Sequence, residues 1–390
     1  MTDSAPPDVD DFRTAAAEWL TANAADAPPD YGAICPPHLV DAGVAWHRRL
    51  HATGDAGIHW PGEHGGRGLT PQHNAAWQLE CARAGVPAAF NMVGLVLTAQ
   101  ALIQFGTAHQ QAAHLPPTVS ADRLWCQLFS EPGAGSDLAS LNTFAEHDGD
   151  RFVVNGQTVW CSGGRSSDWG ILLARTNRDV PRHRGISFFL VDMATPGIEV
   201  RPLRQMTGDA EFDEVFFTDA AIPATNLLGP LDGGWGVAMQ VLTNERGHIG
   251  TAVVGLERRL EQMAALADGR ELAPLQRQRL VDLVVRGTAY RSLAQRQGAG
   301  ATTSGSLLKL GITEMSFDAA TLRADLAGPA ATLTGAESSG MLAAPGGRIA
   351  GGTSQVQRNI IGERLLGLPR EPTPPNEPTR PDEPRRRDTR

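Results

Sequence analysis

Long apolar runs are missing from this chain of 390 residues. No stretch reaches the roughly 18 apolar residues that a membrane-spanning helix needs, so no membrane span is expected. A basic excess is missing too: 34 Lys and Arg face 43 Asp and Glu, for a formal net charge of -9. Phosphate backbones need a basic surface, so nucleic acid is not expected as a partner. An anionic small ligand needs only a few local donors. Cysteine is scarce and scattered at Cys35, Cys81, Cys126 and Cys161, with no CxxC pair. That excludes a disulfide framework or a cysteine zinc site and points to reduced thiols. The eleven histidines form no HExxH or paired spacing, so no metal is expected. Gly346-Gly347 and Gly351-Gly352 are not followed by Gly-Lys-Ser/Thr, which excludes a P-loop. Met1 to Asp11 is acidic and contains proline, without the basic start and apolar core of a secretory signal. A cytoplasmic location is the expectation, and no internal repeat is visible.

What is present has three textures. Residues 1–115 are Ala-rich and helix-patterned, with Thr70-Pro71-Gln72 opening a helix towards Ala84 and an apolar stretch from Met92 to Phe105. Trp19, Trp46 and Trp77 fall on helical patterns and are expected in the core. Residues 116–228 carry short strands punctuated by Pro and Gly, which predicts an antiparallel β domain. Within it Asn155-Gly156 is the turn dipeptide of a two-residue hairpin between Phe152–Val154 and Gln157–Trp160. Residues 229–370 return to helical periodicity: Trp235 to Leu266, about Leu275 to Gln297, Ser304 to Ala327 and Asn359 to Leu366. Residues 371–390 are Pro-rich and charged, which predicts a disordered tail.

Glu245 stands out chemically. Val241 and Leu242 lie one helical turn before it and Ile249 one turn after, so a carboxylate is set into an apolar stripe. Burial raises a carboxylate's pKa, and such a group is neutralised, paired or functional. Pairing with His248, three residues on, is the alternative that spacing alone leaves open.

The most specific string is Trp125-Cys126-Gln127-Leu128-Phe129-Ser130-Glu131-Pro132-Gly133-Ala134-Gly135-Ser136-Asp137. It reads as a strand entering a Gly/Ser loop whose backbone N–H groups and hydroxyls suit a polar or anionic cofactor. The Glu131–Asp137 heptad closely resembles the signature of acyl-CoA dehydrogenases. The resemblance runs from about Asp11 to Arg370. Gly156–Gly163 resembles the family's flavin-side strand. Gly185–Val191 with Pro196-Gly197-Ile198 resembles its β hairpin, Phe212–Phe217 with Ile222-Pro223 its last strand, and Gly352–Arg358 its C-terminal flavin string.

The resemblance implies an α+β architecture: an N-terminal helical domain, a middle antiparallel β domain and a C-terminal four-helix bundle around FAD and an acyl-CoA. Carried over by position, Gln127, Phe129, Ser130, Trp160, Ser162, Thr353 and Gln355 contact FAD. Ser136, Arg246 and the N–H of Gly351 contact the acyl-CoA. Many members carry the catalytic base where this chain has Gly351, which has no side chain. A minority branch carries it on the bundle helix directly before an Arg, the position of Glu245 and Arg246. The implied reaction is α,β-dehydrogenation to the trans-2-enoyl-CoA. Glu245 takes the α-proton, flavin N5 takes the hydride, and an electron-transfer flavoprotein takes the electrons. The Arg-x-x-Phe-Gly and Gly-Gly-x-Gly strings of many members are missing, as in a branch of fatty-acid and sterol side-chain breakdown. A dimer or tetramer is expected, as a homo-oligomer or with a second kind of subunit. Gly351 and the missing strings also suit a non-catalytic subunit of a heteromer, and the same fold also hosts flavin oxidases.

Overall fold

Alternation orders the middle of the chain: on the strands Trp125–Leu128, Trp169–Arg175 and Ile186–Asp192 successive side chains enter two different cores, while on Phe212–Pro223 buried residues alternate with more exposed ones over much of its length. The computed structural model describes residues 6–31, 34–247, 261, 264–265, 267–269, 271–298 and 305–369, without the side chains of 243–247 and 295–298. The expected tail, 371–390, and most of the helix expected beyond residue 247 lie outside the described residues.

Helices come first: α1 (Val9–Asn23), α2 (Val40–Thr53), α3 (Pro71–Ala84), α4 (Ala99–Phe105) and α5 (Ala108–Val119). Pro at the first position and Thr70 at the cap start α3 where the sequence predicts it. Trp46 and Trp77 are buried, and Trp19 packs on them with ring centroids at 5.6 and 5.8 Å. A π-helical turn, Val93–Thr98, leads into α4, and its residues from Gly94 on are buried. Just before it, the buried Asn91 amide donates to the carbonyls of Thr118 (3.2 Å) and Arg123 (2.9 Å) and accepts from the Trp125 N–H (3.4 Å). One side chain thus ties the helices to the first strand.

The strands are β1 (Trp125–Leu128), β2 (Phe144–Asp148), β3 (Arg151–Ser162), β4 (Trp169–Arg175), β5 (Ile186–Asp192), β6 (Ile198–Leu203), β7 (Phe212–Pro223) and β8 (Leu227–Leu228). They form one sheet in the order β6-β7-β3-β2-β4-β5-β8, with β1 also on β4. Pairing is antiparallel except for β1 against β4 and a single residue pair of β2 with β4.

Two sequence expectations fail here. Asn155-Gly156 is not a hairpin turn: β3 runs through it, with a register shift against β7. The hairpin closes earlier, between Asp148 and Arg151. Tertiary contacts override the turn dipeptide. Asn155 exchanges side-chain bonds with Asp219, and any Cβ on Gly156 would lie 2.4 Å from the Thr143 hydroxyl. Nor do Ile186–Val191 and the strand after Gly197 form a hairpin. β5 pairs with β4 and β8, whereas β6 lies at the opposite edge on β7.

Helices close the chain: α6 (Gly234–Gly247), α7 (Pro274–Gly298), α8 (Gly305–Ala327), α9 (Ala336–Gly347) and α10 (Ser354–Ile360), the last running into a π turn, Ile361–Leu365. Val237, Ala238 and Val241 of α6 are buried in one core with Phe129, Phe188, Leu190 and the π turn at Val93–Thr98. Among the described residues no helix is long and apolar enough to cross a membrane.

Candidate active site

The site residues expected on β1 and β3 lie side by side. On β1, Cys126 and Leu128 enter one core while Trp125 and Phe129 enter the other, so Gln127 shares the Phe129 side. Phe129 is buried, edge-on to Phe188 at 5.7 Å. Ser130, two residues past β1, is half-buried, and its carbonyl accepts the Val159 N–H at 2.8 Å. That bond brings the end of β1 against Trp160.

Trp160 is the unusual residue of the sheet. It has φ +63, in the left-handed region, and sits where the β3–β7 register slips between Thr158 and Cys161. A bulky residue there is strained, and the cost needs a compensating role. The bulge turns the indole out, so 55% of the residue is exposed although Val159 and Cys161 on either side are buried. Its ring stands edge-on to Phe212 at 5.6 Å. Ser162 follows, half-buried and paired with Phe212. The turn after it is held by buried Asp213, which accepts from Arg165 Nε at 2.5 Å and from the Arg165 N–H at 2.9 Å.

The loop after Ser130 is fixed by a residue that motif reading alone leaves without a role. Glu131 is only 8% exposed, and its carboxylate accepts the N–H groups of Asn142 (2.8 and 2.9 Å) and Thr143 (2.6 Å). Its backbone exchanges two bonds with Ala134, at 3.0 and 3.1 Å. The loop is thereby closed, and Ser136 is left exposed at its end. Buried Arg175 holds the flanking segments together, donating to the carbonyls of Ala139 (2.7 Å), Leu141 (3.2 Å) and Arg182 (2.9 Å).

A second group forms at the C-terminal loop. Gly351 and Gly352 have φ +62 and +88. Thr353 caps α10, its hydroxyl oxygen accepting the Val356 N–H at 3.2 Å, which leaves the hydroxyl proton free to donate. Gln355 is exposed. The loop is tethered from α8 and α10. Lys309 Nζ donates to the Gly352 carbonyl at 2.6 Å, and Gln357 Nε2 donates to the carbonyls of Gly351 (3.0 Å) and Gly352 (3.4 Å). Glu314 accepts from the Ser354 hydroxyl at 2.6 Å and pairs with Arg348 at 3.0 Å. Burial works against its charge, yet these partners hold its carboxyl below the usual range. Among the described residues no hydrogen bond joins Gly351–Gln355 to β1 or β3. Glu245 and Arg246 lie on the described backbone of α6, and their side chains lie outside the described residues.

An outward flat indole beside two hydroxyls, an amide and a glycine-rich loop fits a planar ring system with polar edges, as FAD has. The comparisons agree. The chain matches the family models for the acyl-CoA dehydrogenase N-terminal domain over residues 7–122, the middle domain over 126–220 and the C-terminal domain over 232–366. It is 41% identical to acyl-CoA dehydrogenase IpdE1 of Mycobacterium tuberculosis, over 93% of this chain and 99% of that protein. Its likeness to IpdE1 of Mycolicibacterium smegmatis is 37%, over 93% and 99%. A solved structure described as the Tcur3481-Tcur3483 steroid ACAD superposes with a TM-score of 0.81 at 25% identity, over 95% of this chain and 100% of that one. The ChsE4-ChsE5 complex from M. tuberculosis superposes with a TM-score of 0.77 at 25% identity, also over 95% and 100%.

Proposed function

The chain belongs to the acyl-CoA dehydrogenase family of FAD-dependent oxidoreductases, and from that premise we propose that Glu245 is the base of its α,β-dehydrogenation. One observation carries this reading. The closing loop has Gly351, with no side chain, while α6 brings Val237, Ala238 and Val241 into the core that Phe129 enters. Glu245, one turn beyond Val241, is therefore on an element that shares a core with Phe129 at the end of β1.

In this reading Glu245 accepts the α-proton and becomes the neutral acid. An apolar setting suits a base that must work near neutral pH. The Gly351 N–H donates to the thioester oxygen as negative charge grows there, the role of an oxyanion donor. Ser136 and Arg246 hold the acyl-CoA, the arginine suiting its anionic groups. Gln127, Phe129, Ser130, Trp160, Ser162, Thr353 and Gln355 hold FAD. The bound flavin supplies the acceptor for the hydride that leaves the β-carbon, and an electron-transfer flavoprotein receives the electrons afterwards. The relative described as a steroid ACAD supports a steroid-derived acyl group. The relative solved as a complex of two named subunits supports assembly with a second kind of chain.

The test is Glu245→Gln. The variant is expected to fold and retain FAD but to lose anaerobic bleaching of the flavin by acyl-CoA by about 10³-fold or more. Bleaching at the wild-type rate would remove Glu245 from the role. The glycine at position 351 also favours a second reading, a subunit without catalysis of its own. A colourless protein after expression alone, gaining flavin only with a partner, would support that reading instead.

A further inference from the structure

A lysine buried inside a helical core needs an explanation. Lys309 stands on α8 between Leu308 and Leu310, one turn from Ile312, and is 2% exposed. A buried ammonium persists only where directed acceptors replace its water. One such acceptor is the Gly352 carbonyl, at 2.6 Å.

The bond has a directional consequence. In a planar trans peptide the C=O and the following N–H point opposite ways. Fixing the Gly352 carbonyl towards α8 therefore turns the Thr353 N–H away from α8. Gln357 of α10, holding the Gly351 carbonyl, likewise turns the Gly352 N–H away from its own amide. Left-handed glycine turns gather successive N–H groups on one side. Among the described residues, the N–H groups of Gly351, Gly352 and Thr353 meet no protein acceptor. Consecutive glycines do not hold such a shape by themselves, because many conformations are open to them.

We propose that Lys309 is a positioning residue for the thioester site: by holding the Gly352 carbonyl it locks the double-glycine turn so that its row of N–H donors faces the substrate oxygen and the flavin edge. This rests on the function proposed above. The lysine touches neither ligand; it acts through the loop.

The test compares Lys309→Met and Lys309→Arg in the full chain. In the FAD-free protein, amide hydrogen exchange at Ala350 and Ser354, whose N–H groups are bonded to the Gly346 and Arg348 carbonyls, is expected to quicken about tenfold or more in the Met variant and to stay near wild type in the Arg variant. In the FAD-loaded protein the Met variant is expected to lose kcat by about 10- to 100-fold with KM within about threefold, and the Arg variant to recover much of the loss. A folded Met variant with unchanged exchange and kcat within about threefold of wild type would overturn the proposal. If the Met variant does not fold, Lys309→Gln, neutral and shorter, carries the same two readouts with the same outcomes. Wild-type protein showing no reduction of its flavin by any acyl-CoA would instead refute the function reading, before any variant is compared.

Discussion

Trp160 concentrates a conflict between comfort and use in one residue. Its left-handed backbone costs an L-residue about 1–2 kcal/mol, and its exposed ring recovers little by burial. Two substitutions separate the terms. Trp160→Ala keeps the backbone strain and removes the flat surface; Trp160→Gly removes both. Urea midpoints are expected to show the Gly variant more stable than the Ala variant by about 1 kcal/mol. Titration of the apoproteins with FAD is expected to show both bound about tenfold more weakly than wild type, the worth of one aromatic stacking contact. Equal FAD affinity in all three proteins would mean that the bulge serves the sheet alone.

At the scale of elements, the loop between β1 and β2 depends on the Glu131 carboxylate. Replacing it by Ala leaves the N–H groups of exposed Asn142 and buried Thr143 without this acceptor, at about 1–3 kcal/mol for the buried one. Glu131→Ala is expected to lower the unfolding free energy by about 2–4 kcal/mol and to loosen FAD, while a surface change such as Glu146→Gln does neither. Chemical denaturation with flavin fluorescence reads both. The start of α3, β5 and the strand that opens the Trp125–Asp137 string were legible because their signals are local: a capped proline, a short apolar run, a specific string. Glu131 reaches across to Asn142, and Lys309 reaches Gly352 over 43 positions, so their partners appear only once the chain is folded. Lys309 carries no such signal as singled out Glu245: one turn before it stand Gly305 and Ser306, where Val241 and Leu242 precede Glu245, so its burial appears only in the fold. Asn155-Gly156 misled for the converse reason: a strong local turn preference lost to contacts with Thr143 and Asp219. The opposite placement of β5 and β6 is likewise a matter of long-range pairing that neighbouring sequence does not encode.

For the whole molecule, two buried imidazoles contribute to the response to acid. His47 accepts the Phe90 N–H at Nδ1 and meets the Val119 carbonyl through Nε2, so it sits neutral between three segments. Burial pushes its pKa from 6.5 down to about 4. His114 accepts from Arg123 at 2.8 Å, and burial followed by that guanidinium pushes it down to about 4 as well. The unfolded chain takes up these protons below pH 6.5 and the folded chain does not until about pH 4. Stability from these groups is therefore complete above pH 6.5, falls across that window and is flat beneath it, with His47 alone accounting for about 3 kcal/mol. Denaturant midpoints between pH 7 and pH 4 are expected to fall more gently in His47→Gln than in wild type, from a lower starting point. Parallel slopes would mean that the imidazole takes up its proton at the same pH in the folded as in the unfolded chain.

The π turn at Val93–Thr98 sets a different kind of limit on the whole. Such a turn amounts to one extra residue let into an α-helix. Removing any one of its residues would let the helix rewind and swing everything before it by about 100°. Asn91 would then face away from Thr118, Arg123 and Trp125 together. The segment is a ruler as much as a wall: it should accept a changed letter far more readily than a missing one.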